Sequence, residues 1–262
     1  MGCKYVFFDI DGTLWDDNME IPQSTVEAIQ KLKENGHKAF LCSGRARSNI
    51  TSPKLLSLGF SGILAACGNH IEMDGEVIYE NLLPQELVKK IISVCKTHHM
   101  PVVLEGPKNH WISEEGFEKD PFIAYLWESL GESAKPMRGY EEDMSINKFS
   151  ADIIETTNFE AIMEELGGEM DALCHTPEIV EFVPAGTSKA TGIDWLCKKL
   201  DIDIADTYAI GDSVNDLDML EFVGHGIAMG NATEEPKRIA EYVTSDIHED
   251  GLFLAMQHFG LI

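Results

Sequence analysis

Short apolar runs recur along the first eighty residues at intervals typical of buried strands. One run, rich in aromatic and β-branched residues, begins at Tyr5, and two others cover 38–42 and 63–67. Runs of this length and composition predict strands with both faces covered. A further pair of short strands is predicted around 73–77, where an Asp-Gly dipeptide has the composition of a tight hairpin turn.

The segments between these strands have the periodicity of helices. Apolar residues at helical spacing predict a helix over 24–34, with Ser24 as its N-cap and Gly36 ending it. A second helix is expected over about 47–58, interrupted near its start by Pro53. Strands that alternate with helices of this length predict a parallel sheet with helices on both faces.

The pattern changes at about Leu82. A strongly amphipathic helix is predicted first, and helices and antiparallel-looking strands then follow in an order typical of an α+β unit. The predicted helices cover 84–99, 121–130 and 159–166, and the predicted strands cover 102–105, 110–113, 146–153, 170–175 and 178–183.

From Ser188 the alternating pattern returns. The predicted helices cover 188–200, 215–222, 235–240 and 251–259, and the predicted strands cover 207–210 and 226–228. The sequence therefore predicts an α/β protein. Its parallel-sheet core is formed by 1–81 and 185–262 and is split by an inserted α+β domain at 82–184.

The charge balance excludes some classes of partner. Twenty basic residues stand against 45 acidic ones, a formal net charge of −25 in 262 residues. Because nucleic acids and anionic membranes are bound largely through Lys and Arg, neither is an expected partner. No apolar stretch approaches the length that spans a bilayer.

The six cysteines are scattered and include no Cys-x-x-Cys pair. A metal knuckle is therefore not expected. A disulfide framework is not expected either in a chain of this length in which we recognise no secretory signal. We expect the protein to work in the reducing cytoplasm.

The first candidate chemistry follows the first strand. Asp9 and Asp11 are two residues apart and would share a face if the chain stayed extended. Neighbouring carboxylates repel each other unless a cation, a proton or hydrogen bonds compensate, and Mg²⁺ is a suitable cation. The alternative is a turn in which Asp accepts backbone hydrogen bonds.

Three further segments carry polar groups where strands are predicted to end or a helix begins. They are Ser43-Gly44-Arg45, Lys189 and the segment from Gly211 to Asp216. Taken singly, they are also typical of a turn, a solvated lysine and a helix cap. Taken together, they offer carboxylates for a cation, a hydroxyl, and a lysine for an anion at the usual ligand-binding edge of a parallel sheet.

In this combination the chain resembles the haloacid dehalogenase-like (HAD) superfamily, and within it the Cof-type phosphatases. The similar motifs are Asp-x-Asp-Gly-Thr from Asp9, Ser-Gly-Arg from Ser43, the single Lys189, Gly-Asp-Ser-x-Asn-Asp from Gly211, and 228–232. The resemblance covers essentially the whole chain. It implies a Rossmann-like core and makes the insertion a cap domain that selects the substrate.

The resemblance also implies roles for the acidic residues. Asp9 would be the nucleophile that forms an aspartyl-phosphate, and Asp11 the general acid and base, with a pKa raised by burial and acidic neighbours. Mg²⁺ would be held by Asp9, the backbone carbonyl of Asp11 and Asp212. Asp216 would be either a direct ligand or a partner of the ligands.

The phosphoryl oxygens would be bound by a second set of groups. The set comprises Ser43, the N–H of Gly44, Lys189, Asn215 and the N–H of Ile10. Thr13 is expected to support the first loop. Four residues of the insertion are candidates for contacts to a leaving group, but we interpret them as packing or surface residues: His110, Trp111, Lys148 and Glu181.

The function implied is Mg²⁺-dependent hydrolysis of a small phosphomonoester. Sugar phosphates are the first expectation, with nucleotides and phosphorylated vitamins as alternatives, and monomer and dimer stay equally open. A phosphomutase of the phosphomannomutase type would use the same intermediate and return the phosphoryl group to the sugar. A phosphoaspartate sensor would need neither Asp11 nor a large insertion, which disfavours it.

Overall fold

The structure, a computed structural model, describes residues 2–114, 117–142 and 144–262. The chain forms two compact units. The first comprises Met1–Gly44, Thr51–Glu80 and Thr187–Ile262, and the second comprises Arg45–Ile50 and Asn81–Gly186. Residues 45–50 follow a strand of the first unit in sequence, so their place in the second unit is a feature that hydrophobic patterning did not predict.

Helices and strands are numbered in chain order. The helices are α1 Gln23–Glu34, α2 Pro53–Leu56, α3 Gln85–Thr97, α4 Pro121–Leu130, α5 Phe159–Leu166, α6 Lys189–Leu200, α7 Leu217–Phe222, α8 Glu234–Ile239 and α9 Gly251–His258. The strands are β1 Tyr5–Phe8, β2 Lys38–Cys42, β3 Gly62–Ala65, β4 His70–Met73, β5 Glu76–Glu80, β6 Val102–Glu105, β7 His110–Ser113, β8 Ala134–Met137, β9 Lys148–Asp152, β10 Met170–Cys174, β11 Ile179–Pro184, β12 Thr207–Gly211, β13 His225–Ala228 and β14 Tyr242–Val243. Single 3₁₀ turns cover Arg47–Asn49, Gly131–Ser133, Ile204–Asp206, Val214–Asp216 and Ile247–Glu249.

The first unit is built on an eight-stranded sheet in the order β14-β13-β12-β1-β2-β3-β4-β5. Every pair from β14 to β3 is parallel, and the β4–β5 hairpin adds two antiparallel strands at one edge. The Asp-Gly turn predicted in this hairpin is present, with Asp74 and Gly75 both in the left-handed region. The α/β core predicted from the alternating pattern is therefore confirmed.

Helix α6 is fixed against the centre of this sheet by apolar packing. Ile193 and Leu196 of α6 join Phe7, Phe40 and Leu64 in one buried cluster. The Phe7 and Phe40 rings stack with centroids 5.2 Å apart. Burial of such side chains contributes about 1.5–3 kcal/mol each. The first turn of α6 is thereby held near the carboxyl ends of the central strands.

The second unit is an α+β fold with a six-stranded sheet in the order β10-β11-β9-β6-β7-β8. All its pairs are antiparallel except β7 with β8. Phe149 and Phe182 lie on one face, in the core with α3 and α5, and their rings stack at 4.3 Å. Val103 and Ile112 belong to a separate cluster that contains residues of α4.

Two local predictions were wrong. Ser24 does not cap α1, because the helix begins at Gln23 after Pro22, whose restricted backbone ends the preceding segment. The helix expected over 47–58 is a 3₁₀ turn followed by α2, since a proline belongs in the first turn of a helix and Ser52 caps α2 instead.

Two strands were also missed. β8 contains Pro136, and a proline in a sequence argues against a strand. However, β8 lies at a sheet edge, where a missing N–H is tolerated. β14 has only two residues, too few for a pattern. In the part of the chain that the structure describes, the helices include none long and apolar enough to cross a membrane.

A buried charge network joins three neighbouring strands of the second unit. Lys148 Nζ lies 2.7 Å from Glu105 Oε1 and 2.8 Å from Glu181 Oε1, and all three residues are buried. Ser150 donates to Glu105 at 2.6 Å, and His175 contacts Glu181 at 2.9 Å. Burial alone would raise the pKa of Glu181, but Lys148 and His175 outweigh it and hold that pKa far below its ordinary value.

We expect Lys148→Met to destabilise the protein by about 3–5 kcal/mol, because it leaves two buried carboxylates without their cation. Urea unfolding measures the change. The control is Lys90→Met, which removes the half-exposed Lys90–Glu169 pair and costs at most about 1 kcal/mol. Equal losses in the two variants would contradict the importance of burial.

Candidate active site

The loop after β1 turns sharply and separates the two aspartates. Asp9 continues the pairing of β1, since its N–H donates to the Ile210 carbonyl at 3.0 Å, and its side chain is buried. Gly12 then adopts a left-handed φ of 72°, where a side chain would also collide with Asp212. Asp11 lies between Asp9 and Gly12 in the chain and is exposed. Asp11 therefore lacks the burial that was expected for it.

Lys189 connects two carboxylates. It is the first residue of α6, which Ser188 caps by accepting the N–H of Thr191. Its side chain is fully buried, and its Nζ lies 2.6 Å from Asp9 Oδ1 and 2.6 Å from Asp216 Oδ1. The alternative of a solvated lysine at a helix start is therefore wrong.

Asp216 organises the loop after β12. Its Oδ2 accepts the N–H groups of Asp212 at 2.9 Å and Ser213 at 3.0 Å. A side chain at Gly211 would collide with the Asp216 carboxylate, so this close approach requires glycine. Asp212 is fixed from the other side by Thr13, whose hydroxyl donates to Asp212 Oδ1 at 2.9 Å. Thr13 thus supports the first loop, as expected.

These contacts bring carboxylates from two loops to one place. One oxygen each of Asp9, Asp212 and Asp216 lies within 4.8 Å of the others. Oxygen ligands in this number and charge suit a hard cation such as Mg²⁺. The donor set of these three carboxylates therefore fits a divalent metal.

The electrostatics of the cluster follow from burial and mutual repulsion. Burial raises the pKa of Asp9 well above its ordinary value, while Lys189 opposes the rise. Burial would lower the pKa of Lys189, but Asp216 and Asp9 hold it well above its ordinary value. Burial and the Asp216 carboxylate raise the pKa of Asp212 to about 7. With all three acids ionised, the site would hold more negative charge than Lys189 neutralises. The raised pKa values report this surplus, which a cation would offset.

The phosphate-binding candidates lie at neighbouring strand ends. β1 and β2 are adjacent, with Phe8 paired to Leu41, so Ile10 and Ser43 follow neighbouring strands. Ser43 is buried, and its N–H donates to the Leu64 carbonyl at 2.9 Å. Gly44 is buried beside it. Asn215 accepts the Ser213 hydroxyl at 2.8 Å, within the loop that Asp216 organises.

Two residues near the acids had no role assigned from the sequence. Asn231 donates to the Gly12 carbonyl at 2.7 Å and accepts the Ile247 N–H at 3.0 Å, so it ties the first loop to a distant segment. Its place in the 228–232 motif was the available signal. Trp15 donates its indole N–H to Asp11 Oδ1 at 2.8 Å. No motif or periodicity in the sequence pointed to Trp15.

Comparison with known proteins identifies the family. A profile of haloacid dehalogenase-like hydrolases matches residues 6–256. The chain is 33% identical over 268 residues to the putative phosphatase YkrA of Bacillus subtilis, with both proteins covered completely. It is 27% identical over 269 residues to the 5-amino-6-(5-phospho-D-ribitylamino)uracil phosphatase YitU of the same species, with 94% of each chain covered.

A solved structure is similar over the same extent. The HAD subclass IIB sugar phosphatase BT4131 superposes with a TM-score of 0.84 at 30% identity, covering 99% of this chain and 100% of the other. The chain therefore belongs to the haloacid dehalogenase-like hydrolase family and is an enzyme of its phosphatase class.

The raised pKa of Asp212 predicts a stability cost in the metal-free protein. An unfolded Asp ionises near its ordinary value of about 3.9, whereas Asp212 in the folded chain ionises at about 7. Stability is therefore lost as the pH rises between these values and levels off above pH 7. Asp212→Asn keeps the acceptor for Thr13 but cannot ionise, so it does not suffer this loss. Its free energy of unfolding, relative to that of the wild type, should therefore rise by about 2–3 kcal/mol from pH 5 to pH 8.

Urea unfolding in EDTA at both pH values measures this difference. Asp218→Asn, at an exposed carboxylate on α7, is the control and should follow the wild type at both pH values. An Asp212→Asn advantage that does not change with pH would refute the electrostatic explanation.

Proposed function

We propose that this haloacid dehalogenase-like phosphatase hydrolyses a small phosphomonoester through an aspartyl-phosphate formed on Asp9. The observation that carries the proposal is the buried Lys189, whose Nζ lies 2.6 Å from Asp9 Oδ1. The contact fixes the orientation of the Asp9 carboxylate and supports a role for Lys189 in binding phosphoryl oxygens. Positioning and charge stabilisation are what phosphoryl transfer chiefly requires.

In the first half of the reaction, an oxygen of Asp9 attacks phosphorus as the bond to the leaving oxygen breaks. Asp11 donates a proton to that oxygen, which departs as an alcohol. In the second half, Asp11 accepts a proton from water as the water oxygen attacks phosphorus. The bond to Asp9 breaks, phosphate is released and the Asp9 carboxylate is restored. Atoms and protons balance over the cycle.

Mg²⁺ would be held by the carboxylates of Asp9 and Asp212 and by the backbone carbonyl of Asp11. When bound, it would neutralise the phosphoryl charge and so allow two anions to approach each other. Both oxygens of Asp216 are engaged, one by Lys189 and one by backbone N–H groups. We therefore propose that Asp216 positions the ligand Asp212 and does not bind the metal directly.

The phosphoryl group would be bound by Lys189, the Ser43 hydroxyl, Asn215 and the N–H groups of Ile10 and Gly44. The support is the adjacency of β1 and β2, since both candidate loops leave the sheet at neighbouring strand ends. A ring of such donors compensates charge without covalent chemistry.

We further propose that residues 1–81 and 185–262 form the catalytic core and that the insertion at 82–184 is the cap that selects the substrate. A sugar phosphate or a similar polyol phosphate is the proposed substrate. The support is the naming of BT4131 as a sugar phosphatase and the phosphoribityl group in the name of the YitU substrate. The six cysteines are free thiols, which suits the cytoplasm that we propose as its location.

Asp9→Asn should lower the turnover rate by at least about a thousandfold while the protein stays folded, because an amide is a poor nucleophile. Phosphate release from a panel of phosphomonoesters with Mg²⁺ measures activity. Mass spectrometry of acid-quenched wild-type enzyme should find phosphate on the peptide that contains Asp9. Retained activity in Asp9→Asn would overturn the nucleophile assignment.

The same panel separates the alternatives. Transfer of phosphate between hydroxyls without net release would identify a mutase. A phosphoenzyme that persists for minutes would identify a sensor.

Metal removal should abolish turnover reversibly. EDTA is expected to stop phosphate release and added Mg²⁺ to restore it. Because Asp212 would be a ligand, Asp212→Asn should raise the Mg²⁺ concentration for half-maximal rate by about 10–100-fold. Asp218→Asn serves as the control and should keep the wild-type requirement. Full activity in EDTA after dialysis would refute the metal requirement.

A further inference from the structure

The side chain of Trp15 closes the first loop onto Asp11. The indole Nε1 donates to Asp11 Oδ1 at 2.8 Å. Trp15 is almost completely buried, with 3% of its surface exposed, while Asp11 is exposed. A rigid buried donor thus holds one oxygen of a solvent-exposed carboxylate.

The backbone of the loop fixes the position of that donor. The Trp15 N–H donates to the Ile10 carbonyl at 3.2 Å, and the Trp15 carbonyl accepts the Gly12 N–H at 2.9 Å. Leu14 also donates to the Ile10 carbonyl, at 2.9 Å. These bonds bracket Asp11 on both sides, so the indole and the carboxylate are parts of one short closed loop. An exposed Asp without such a donor would sample several rotamers.

We propose that Trp15 is a positioning residue for proton transfer by Asp11, an inference that rests on the acid–base role proposed for Asp11. The indole N–H is a donor only, so Oδ1 is the acceptor in this contact. The contact therefore favours the form of protonated Asp11 in which Oδ1 is the carbonyl oxygen and Oδ2 carries the proton. The bond from Oδ2 to that proton breaks as the leaving oxygen takes it, and the bond reforms when water is deprotonated.

A purely apolar role would not need the N–H group. Phenylalanine would fill much of the same space with an aromatic ring but without the donor. The hydrogen bond to Asp11 is what distinguishes tryptophan here. The effect of removing it should depend on how strongly the leaving group needs a proton.

The test uses two aryl phosphates of similar shape. Phenyl phosphate has a leaving group that needs protonation, whereas 4-nitrophenolate departs without it. In single-turnover experiments with enzyme in excess, Trp15→Phe should slow phenol release by about tenfold and nitrophenol release by less than twofold. The tenfold loss is a part of the about 100-fold rate increase that a general acid contributes. The enzyme concentration that gives half the maximal rate should not change. Equal slowing of both substrates would overturn the proposal.

Two further variants keep the result interpretable. Replacement of Trp15 by 3-benzothienylalanine preserves the bicyclic shape and removes only the N–H, so it should reproduce the Trp15→Phe result even where the phenylalanine variant folds poorly. Trp195→Phe is the matched control, since Trp195 packs against Tyr79 with ring centroids 4.9 Å apart and takes no part in the site. It should leave both rates unchanged.

Asp11→Asn separates this inference from the proposed function. If Asp11 is the general acid, the amide variant should lose about 100-fold with phenyl phosphate and much less with 4-nitrophenyl phosphate. Absence of that difference would overturn the role of Asp11 itself. If that difference is present but the benzothienylalanine variant slows both substrates by the same factor, only the role of Trp15 is overturned.

Discussion

The structure of the site depends on one fully buried ammonium group. Lys189 Nζ has no access to water and is held between Asp9 and Asp216 at 2.6 Å from each. Burying a charge costs several kcal/mol unless it is paired, so the two carboxylates and the lysine must be positioned together. This requirement ties the end of β1, the start of α6 and the loop after β12 into one unit.

The neighbouring contacts extend this constraint to the residues that would carry the chemistry. Asp216 uses its second oxygen to bind the backbone of Asp212 and Ser213, and Thr13 holds Asp212 from the opposite side. Gly12 and Gly211 leave the space in which these carboxylates approach the backbone. The geometry of the acids is therefore set before any substrate arrives, which is the arrangement that electrostatic catalysis requires.

Local signals were sufficient for most elements and failed where a longer-range contact decided the outcome. The periodicity of 159–166 and 121–130 predicted α5 and α4 with the bounds that the structure shows. β8 could not be predicted in the same way, because Pro136 is acceptable only through its position at a sheet edge. The prediction that Ser24 caps α1 was wrong, since Pro22 already determines where that helix begins.

The sequence by itself determined the chemistry and the order of the parts: two aspartates after a strand, a hydroxyl, one lysine and a second acidic loop, each placed by a hydrophobic pattern of a few residues. Only the tertiary structure decided how these groups are used. It buries Lys189, exposes Asp11, engages both oxygens of Asp216 and joins Trp15 to Asp11. The physical reason is that periodicity reports which face of a segment is covered, whereas the burial and pairing of a charge depend on distant groups. Lys189 and Asp9 are 180 residues apart, and no local pattern encodes a contact between them.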